Sequence, residues 1–184
     1  SLGTLGLRTS GRGAEGTLTT PDPVTLHRTL DWLAGEGVQH LAMEASSHGL
    51  DQYRLDGVRI SAAAFTNISH DHLDYHGSQD AYLTAKLRLF SEVMPEGGIA
   101  VLNIDVPEFE KVRAVCGSRR QPVITYGTDT RADFRLVSAE PGLCGQTVEV
   151  ALNGQTHQVL LPLFGSFQAE NALAALALVI ATGA

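Results

Sequence analysis

Cysteine is scarce. Only Cys116 and Cys144 occur in 184 residues, without C-x-x-C spacing, so neither a disulfide framework nor a zinc knuckle is indicated and a reducing, cytoplasmic setting is expected. Basic residues are outnumbered, 13 Lys and Arg against 20 Asp and Glu for a net charge of −7, and no dense Lys/Arg cluster occurs; free nucleic acid is therefore not an expected partner. The longest weakly polar run, residues 171–184, is rich in alanine and far short of the roughly 20 apolar residues that span a bilayer, so no membrane association is expected. Neither the phosphate-cradling G-x-x-x-x-G-K-[ST] loop nor the helical H-E-x-x-H pair of zinc hydrolases is present. The start, Ser1-Leu2-Gly3-Thr4-Leu5-Gly6-Leu7-Arg8, has no initiator Met and no signal-peptide pattern; the chain is expected to begin inside a longer polypeptide.

What remains is a composition close to globular norms, 43% apolar and 18% charged. At about 150 residues per domain the length predicts a single domain over residues 1–184. Residues 22–34 read as a helix, with Asp22 as cap, Pro23 in the first turn, Leu26, Leu30 and Leu33 on one face, and Gly35 and Gly37 as the stop. Residues 38–45 and 60–68 read as buried parallel strands, 78–93 as a helix, 99–104 as a third buried strand, 107–115 as an amphipathic stretch and 122–126 as another strand. From 133 to 163 the rhythm changes to period two, broken at Pro141-Gly142 and at Asn153-Gly154, a strong hairpin signal. Residues 167–182 close the chain as an Ala/Leu-rich helix, apolar on most faces and expected to pack deeply. The expected fold is α/β: a doubly wound, mostly parallel sheet with an antiparallel extension.

In open α/β sheets ligands collect beyond the carboxyl ends of strands. Two such places are rich in polar groups. Residues 43–50 bring Glu44, Ser46, Ser47 and His48 after one apolar run; residues 67–76 bring His70, Asp71, His72, Asp74 and His76 after another. Carboxylate and imidazole together suit a divalent cation, and oxygen-rich sites suit magnesium when a phosphate supplies further ligands. Lys86, in the middle of a predicted helix, reads either as a solvated lysine or as a buried one, whose desolvated amine would be a nucleophile toward carbon dioxide. Thr19-Thr20, ahead of the first helix, suits an anion or plain N-capping, and Arg54 suits a bidentate phosphate or carboxylate contact or an ordinary surface position.

Taken together, Thr19-Thr20, the run from Met43 to Leu50 with Gln52 and Arg54, residues 67–76, Ala85-Lys86, Thr125-Tyr126-Gly127, and Gly165-Ser166-Phe167 with Asn171 resemble the central, ATPase domain of the Mur ligases, in the branch that adds a diamino acid. Leu18 stands where some relatives carry Asn, and Gln168 where many do. The resemblance implies an ATP-dependent amide-bond ligase of peptidoglycan precursor synthesis. It would phosphorylate the carboxylate of a UDP-N-acetylmuramoyl dipeptide (UDP-N-acetylmuramoyl-L-alanyl-D-glutamate), and the amine of meso-diaminopimelate or lysine would then attack. It implies Mg2+ on Glu44, a second Mg2+ on His72 and a carbamylated Lys86, the UDP-linked substrate on Thr19, Thr20, Ser46, Gln52 and Arg54, and the adenine of ATP near Asn171. His72 and Lys86 would be the catalytic residues, and the enzyme a monomer. An N-terminal UDP-binding domain, a P-loop and a C-terminal ligase domain are expected outside these residues, so the chain by itself is expected to have negligible synthetase activity. The alternatives are a folylpolyglutamate synthetase-like ligase and a noncatalytic metal- or nucleotide-binding module.

Overall fold

The computed structural model describes residues 1–9, 13–14, 18–69 and 71–183. They divide into two compact units: the described residues of Ser1–Arg59 and His70–Val93, and those of Ile60–Ser69 and Met94–Ala184.

The first unit opens with three short antiparallel strands, β1 (Leu2–Gly3), β2 (Gly6–Arg8) and β3 (Gly13–Ala14). Helix α1 (Pro23–Gly35) forms as its sequence predicts. Asp22 accepts from the backbone N–H of Val24 and Thr25 at 3.0 and 3.1 Å, Pro23 needs no hydrogen-bond partner, Leu26 and Leu33 are buried, and Gly37 adopts φ 79° just beyond the end. Residues 38–45 are not the buried strand expected. They make a single parallel bridge, Leu2 to Met43, and most are exposed or half-exposed. β1 is two residues long and turns back at Thr4 and Leu5 into β2, so it offers one register position where a ladder needs several.

Helix α2 (Ser47–Asp51) is capped by Ser46, which accepts from Gly49 N–H at 3.0 Å; α3 (Leu73–His76) is a single turn; α4 (Gln79–Arg88) is capped by Ser78 and runs into a π-helical turn, Leu89–Val93. α2 packs against α4. Arg88, nearly buried, ties them: it donates to the Leu50 carbonyl at the end of α2, pairs with Asp56 and Glu92 at 3.4 and 2.7 Å, and lies 3.9 Å over the Tyr53 ring.

The second unit is a six-stranded mixed sheet in the order β4 (Ala62–Phe65), β5 (Ile99–Asn103), β6 (Val123–Gly127), β7 (Phe134–Gly142), β8 (Gly145–Leu152) and β9 (Gln155–Leu161). β4 to β7 pair in parallel and β7 to β9 antiparallel, the α/β class with the antiparallel extension that the sequence predicts. The β8–β9 turn is Asn153-Gly154, both at positive φ. Pro141-Gly142 is not a break: both residues pair within β7, opposite Gln146 and Gly145, and the turn is Leu143-Cys144. Both faces of β5 are covered, since alternating Ala100, Val101 and Leu102 are all buried. α5 (Phe109–Ser118) packs on β5 through its buried side, Val112 and Cys116.

Helix α6 (Ser166–Thr182) lays Ala169, Leu173, Ala174 and Ala177 on Val101, Tyr126, Phe134, Leu136, Val148 and Val150, and this is the core of the unit. The deep packing expected from its composition holds for one face only; on the opposite face Phe167 is 60% exposed, and Leu176, Val179 and Ile180 are exposed with it. Small alanines let the helix sit close on the strands along one stripe, and the other stripe stays exposed among the described residues.

Candidate active site

Of the residues expected to bind substrate, metal or nucleotide, all but Asn171 fall in the first unit. Asn171 is on α6, exposed, in the second unit; His70 lies outside the described residues.

Thr20 is the hub. It is fully buried, donates from Oγ1 to the Glu44 carbonyl at 2.9 Å, and accepts from Ser46 N–H and Ser46 Oγ, both at 3.0 Å. One proton and two lone pairs are all a hydroxyl has, so this one is saturated. Gly49 is required beside it, because a Cβ there would meet Thr20 Cβ at 2.7 Å. Thr20 is neither an N-cap, a role Asp22 fills, nor a free anion donor; it locks the turn that carries Glu44 and Ser46. The exposed Glu44 carboxylate accepts from Thr4 Oγ1 at 2.8 Å, and Thr4 meets Thr19 Oγ1 at 3.1 Å. Gly3 lets the chain pass against Glu44, whose side chain occupies the place a Cβ would take.

From Thr20 the network runs outward. Arg54 Nη1 donates to the Thr20 carbonyl at 2.8 Å and Nη2 to Gln52 Oε1; Gln52 Nε2 donates to the Tyr75 hydroxyl at 3.0 Å, which donates to Asp51 Oδ2 at 2.8 Å. Arg54 thus has bonds on the inner side and donors to spare.

The Tyr75 ring belongs to a cluster of imidazoles and phenols. His48 lies 4.1 Å from Tyr75, 5.0 Å from His72 and 5.5 Å from His76, and the Tyr82 ring stacks on His76 at 5.1 Å and stands edge-on to His72 at 6.0 Å. Burial, with His72 and His76 beside it, holds the His48 imidazole below its ordinary pKa. His72 reaches the cluster from a left-handed backbone, φ 58°, at the start of α3. Lys86 Nζ sits 5.4 Å over the other ring neighbour, Tyr82, and burial lowers its pKa, favouring the neutral amine. Burial also raises the Tyr82 phenol, with Asp71 adding to the effect.

The structure therefore gathers Glu44 with Thr19, Thr20 and Ser46, and His72 with Lys86 around Tyr82, and joins the two groups by the row Arg54, Gln52, Tyr75. Among the described residues no three His, Cys, Asp or Glu side chains converge as a metal cage. Zinc needs such a cage; Mg2+ is held through one or two carboxylates with waters and substrate phosphates, so the exposed Glu44 carboxylate, with lone pairs left beyond its bond from Thr4, fits it. Among the described residues, His76 Nε2 in this cluster and Ser47 Oγ, next to His48 in the chain, are buried without a hydrogen-bond partner. Sequence reasoning missed Thr4, Asp51, Tyr75 and Tyr82 as organisers. Tyr75 and Asp51 stand inside or beside the quoted runs, but Thr4 is linked to Glu44 only by the fold, 40 residues away.

Comparison with known proteins gives the family. The sequence profile of the Mur ligase middle domain matches residues 1–179, and the chain belongs to that family. It is 50% identical, over its whole length, to the UDP-N-acetylmuramoyl-L-alanyl-D-glutamate–2,6-diaminopimelate ligase of Bradyrhizobium diazoefficiens. A solved structure of an enzyme with that same name superposes over 100% of this chain with a TM-score of 0.89 at 33% identity, covering 37% of the solved chain. A folylpolyglutamate synthase from Mycobacterium tuberculosis, solved with ADP and AMPPCP, covers 69% of this chain and 28% of its own, with a TM-score of 0.57 at 26% identity. The chain spans 38% of the Bradyrhizobium relative.

Proposed function

We propose that this chain is the central part of an ATP-dependent ligase that joins 2,6-diaminopimelate to UDP-N-acetylmuramoyl-L-alanyl-D-glutamate in the cytoplasm. The γ-phosphoryl of ATP passes to a carboxylate oxygen of the dipeptide, giving an acyl phosphate and ADP; the amine attacks the acyl carbon, phosphate leaves with the bonding pair, and the amine loses a proton. Identity across the whole chain to diaminopimelate ligases supports this over the folylpolyglutamate reading, whose relative matches less of the chain at lower identity.

The observation that carries the reading is Lys86. A half-buried lysine in mid-helix, with its pKa lowered and an aromatic ring under its nitrogen, can attack carbon dioxide with its lone pair and lose a proton to become a carbamate. That step turns a cation into an anionic oxygen donor at the Tyr82 ring, which His72 meets edge-on. The carbamate and His72 would hold one Mg2+ and Glu44 another; bound there, Mg2+ neutralises charge on the transferring phosphoryl group. Gln52 and Arg54 supply donors to the UDP-linked substrate, Thr19, whose proton goes to Thr4, offers it a hydroxyl oxygen, Thr20 and Ser46 hold the turn beneath them, and Asn171 lies near the adenine.

The test is ATP- and Mg2+-dependent ligation by the polypeptide carrying residues 1–184, with diaminopimelate and with glutamate as the competing amine, on muramoyl and folate acceptors. Ligation of diaminopimelate to the muramoyl dipeptide, lost in Lys86→Ala, is expected. Ligation of glutamate to folate, or full activity of Lys86→Ala, would overturn the reading.

A further inference from the structure

Asp51, Tyr75, Gln52 and Arg54 form a hydrogen-bonded row whose direction is fixed at both ends. An ionised carboxylate only accepts and a guanidinium only donates. The single proton of the Tyr75 hydroxyl therefore goes to Asp51, and its oxygen can accept only a donor from Gln52. At the other end Arg54 requires an acceptor, so the Gln52 amide is held with Nε2 toward Tyr75 and Oε1 toward Arg54. Arg54 sets which end of the amide faces it; the Tyr75 hydroxyl takes the other end, and without it nothing in the row holds Nε2 in place. The Tyr75 ring is itself seated on His48 and His76, at 4.1 and 4.8 Å, and stays 41% exposed, as a residue at a ligand-accessible rim must be. Within this row Gln52 Nε2 uses one of its two N–H groups, and Arg54 uses two of its five, one on Gln52 and one on the Thr20 carbonyl. The donors left over share one sign.

We infer that Tyr75, anchored by Asp51, is a positioning residue that fixes the amide of Gln52 so that Gln52 and Arg54 present only N–H donors to an anionic oxygen group, carboxylate or phosphate, of the UDP-muramoyl dipeptide. This rests on the reading of Gln52 and Arg54 as substrate contacts. A neutral ligand group of the same size would leave those donors with no charge to bind, so the row selects for an anion.

Tyr75→Phe keeps the ring on His48 and removes only the hydroxyl. Two measurements on the polypeptide carrying residues 1–184 test the inference. In the absence of ligand, the side-chain amide resonances of Gln52 move in Tyr75→Phe while the ring-proton resonances of His48 and His76 stay in place; unmoved Gln52 resonances would refute the row. In calorimetric titrations with UDP-N-acetylmuramoyl-L-alanyl-D-glutamate, with UDP and with the muramoyl dipeptide lacking UDP, Tyr75→Phe and Asp51→Ala weaken the complete substrate about tenfold, the scale of a hydrogen bond to a charged group. A matching loss for one of the two smaller ligands shows whether phosphate or carboxylate is held. Wild-type affinity in Tyr75→Phe, with Arg54→Ala weakened, overturns the role of Tyr75 alone; wild-type affinity in Arg54→Ala and Gln52→Ala overturns the substrate site beneath it.

Discussion

Thr20→Val replaces a hydroxyl by a methyl of nearly the same shape, and so isolates what the three hydrogen bonds of Thr20 Oγ1 contribute. Valine leaves Ser46 N–H and the Glu44 carbonyl without partners. Each unpartnered buried polar group costs about 1–3 kcal/mol, and because both residues are partly open to water the lower end applies, so the expected loss is about 2–3 kcal/mol. Thr20→Ser keeps the bonds and loses only the methyl that touches Gly49, at a cost of about 1 kcal/mol. The assay is urea unfolding followed by the fluorescence of Trp32, the one tryptophan, which lies on α1 in the same unit. With a slope of about 2 kcal/mol per molar, Thr20→Val should lower the midpoint by about 1 M. Adding Ser46→Ala should cost less in the Thr20→Val background than alone, since the two side chains share a bond, while the cap on Gly49 N–H is lost in both. A midpoint for Thr20→Val equal to wild type, or above that of Thr20→Ser, would refute the saturated hub.

The imidazole cluster and the α6 core make two further predictions. His48 binds its proton less readily folded than unfolded, so its contribution to stability is complete above the ordinary value of 6.5 and is lost as pH falls from there through its lower folded pKa. Urea midpoints measured between pH 7.5 and 5 should fall more steeply in wild type than in His48→Gln, and equal slopes would contradict the burial argument. Leu173→Ala, in the stripe of α6 packed on the sheet, should cost about 3 kcal/mol, whereas Ile180→Ala on the exposed face should stay within about 1 kcal/mol, measured by urea unfolding followed by far-ultraviolet circular dichroism because Trp32 lies in the other unit.

The second unit was the more legible in the sequence, for a physical reason. Its strands bury alternate or consecutive apolar residues, and Asn153-Gly154 can hardly be anything but a hairpin turn, so local pattern and final pairing agree. Residues 38–45 look the same in sequence as residues 60–68, yet only the latter find a ladder: Ala62–Phe65 has Ile99 to Leu102 beside it, and Met43 has Leu2 alone. An apolar run specifies that it should be covered but not by what. In the polar unit the residue types were legible and their duties were not. Thr20 looked like an anion donor because it precedes a helix, but its hydroxyl is spent on Glu44 and Ser46, which arrive from 24 and 26 residues away. The duties of Asp51 and Tyr75 become readable only when both ends of their row are in view, because direction in a hydrogen-bonded chain is set by its terminal groups.

The account as a whole depends on Lys86 being an amine that reacts with carbon dioxide. The direct measurement is the 13C spectrum of the polypeptide carrying residues 1–184 in 13C-labelled bicarbonate, with and without Mg2+, for wild type and Lys86→Ala. A carbamate carbonyl signal in wild type, strengthened by Mg2+ and absent from Lys86→Ala, is the predicted result. No such signal at saturating bicarbonate, or the same signal in Lys86→Ala, would contradict it.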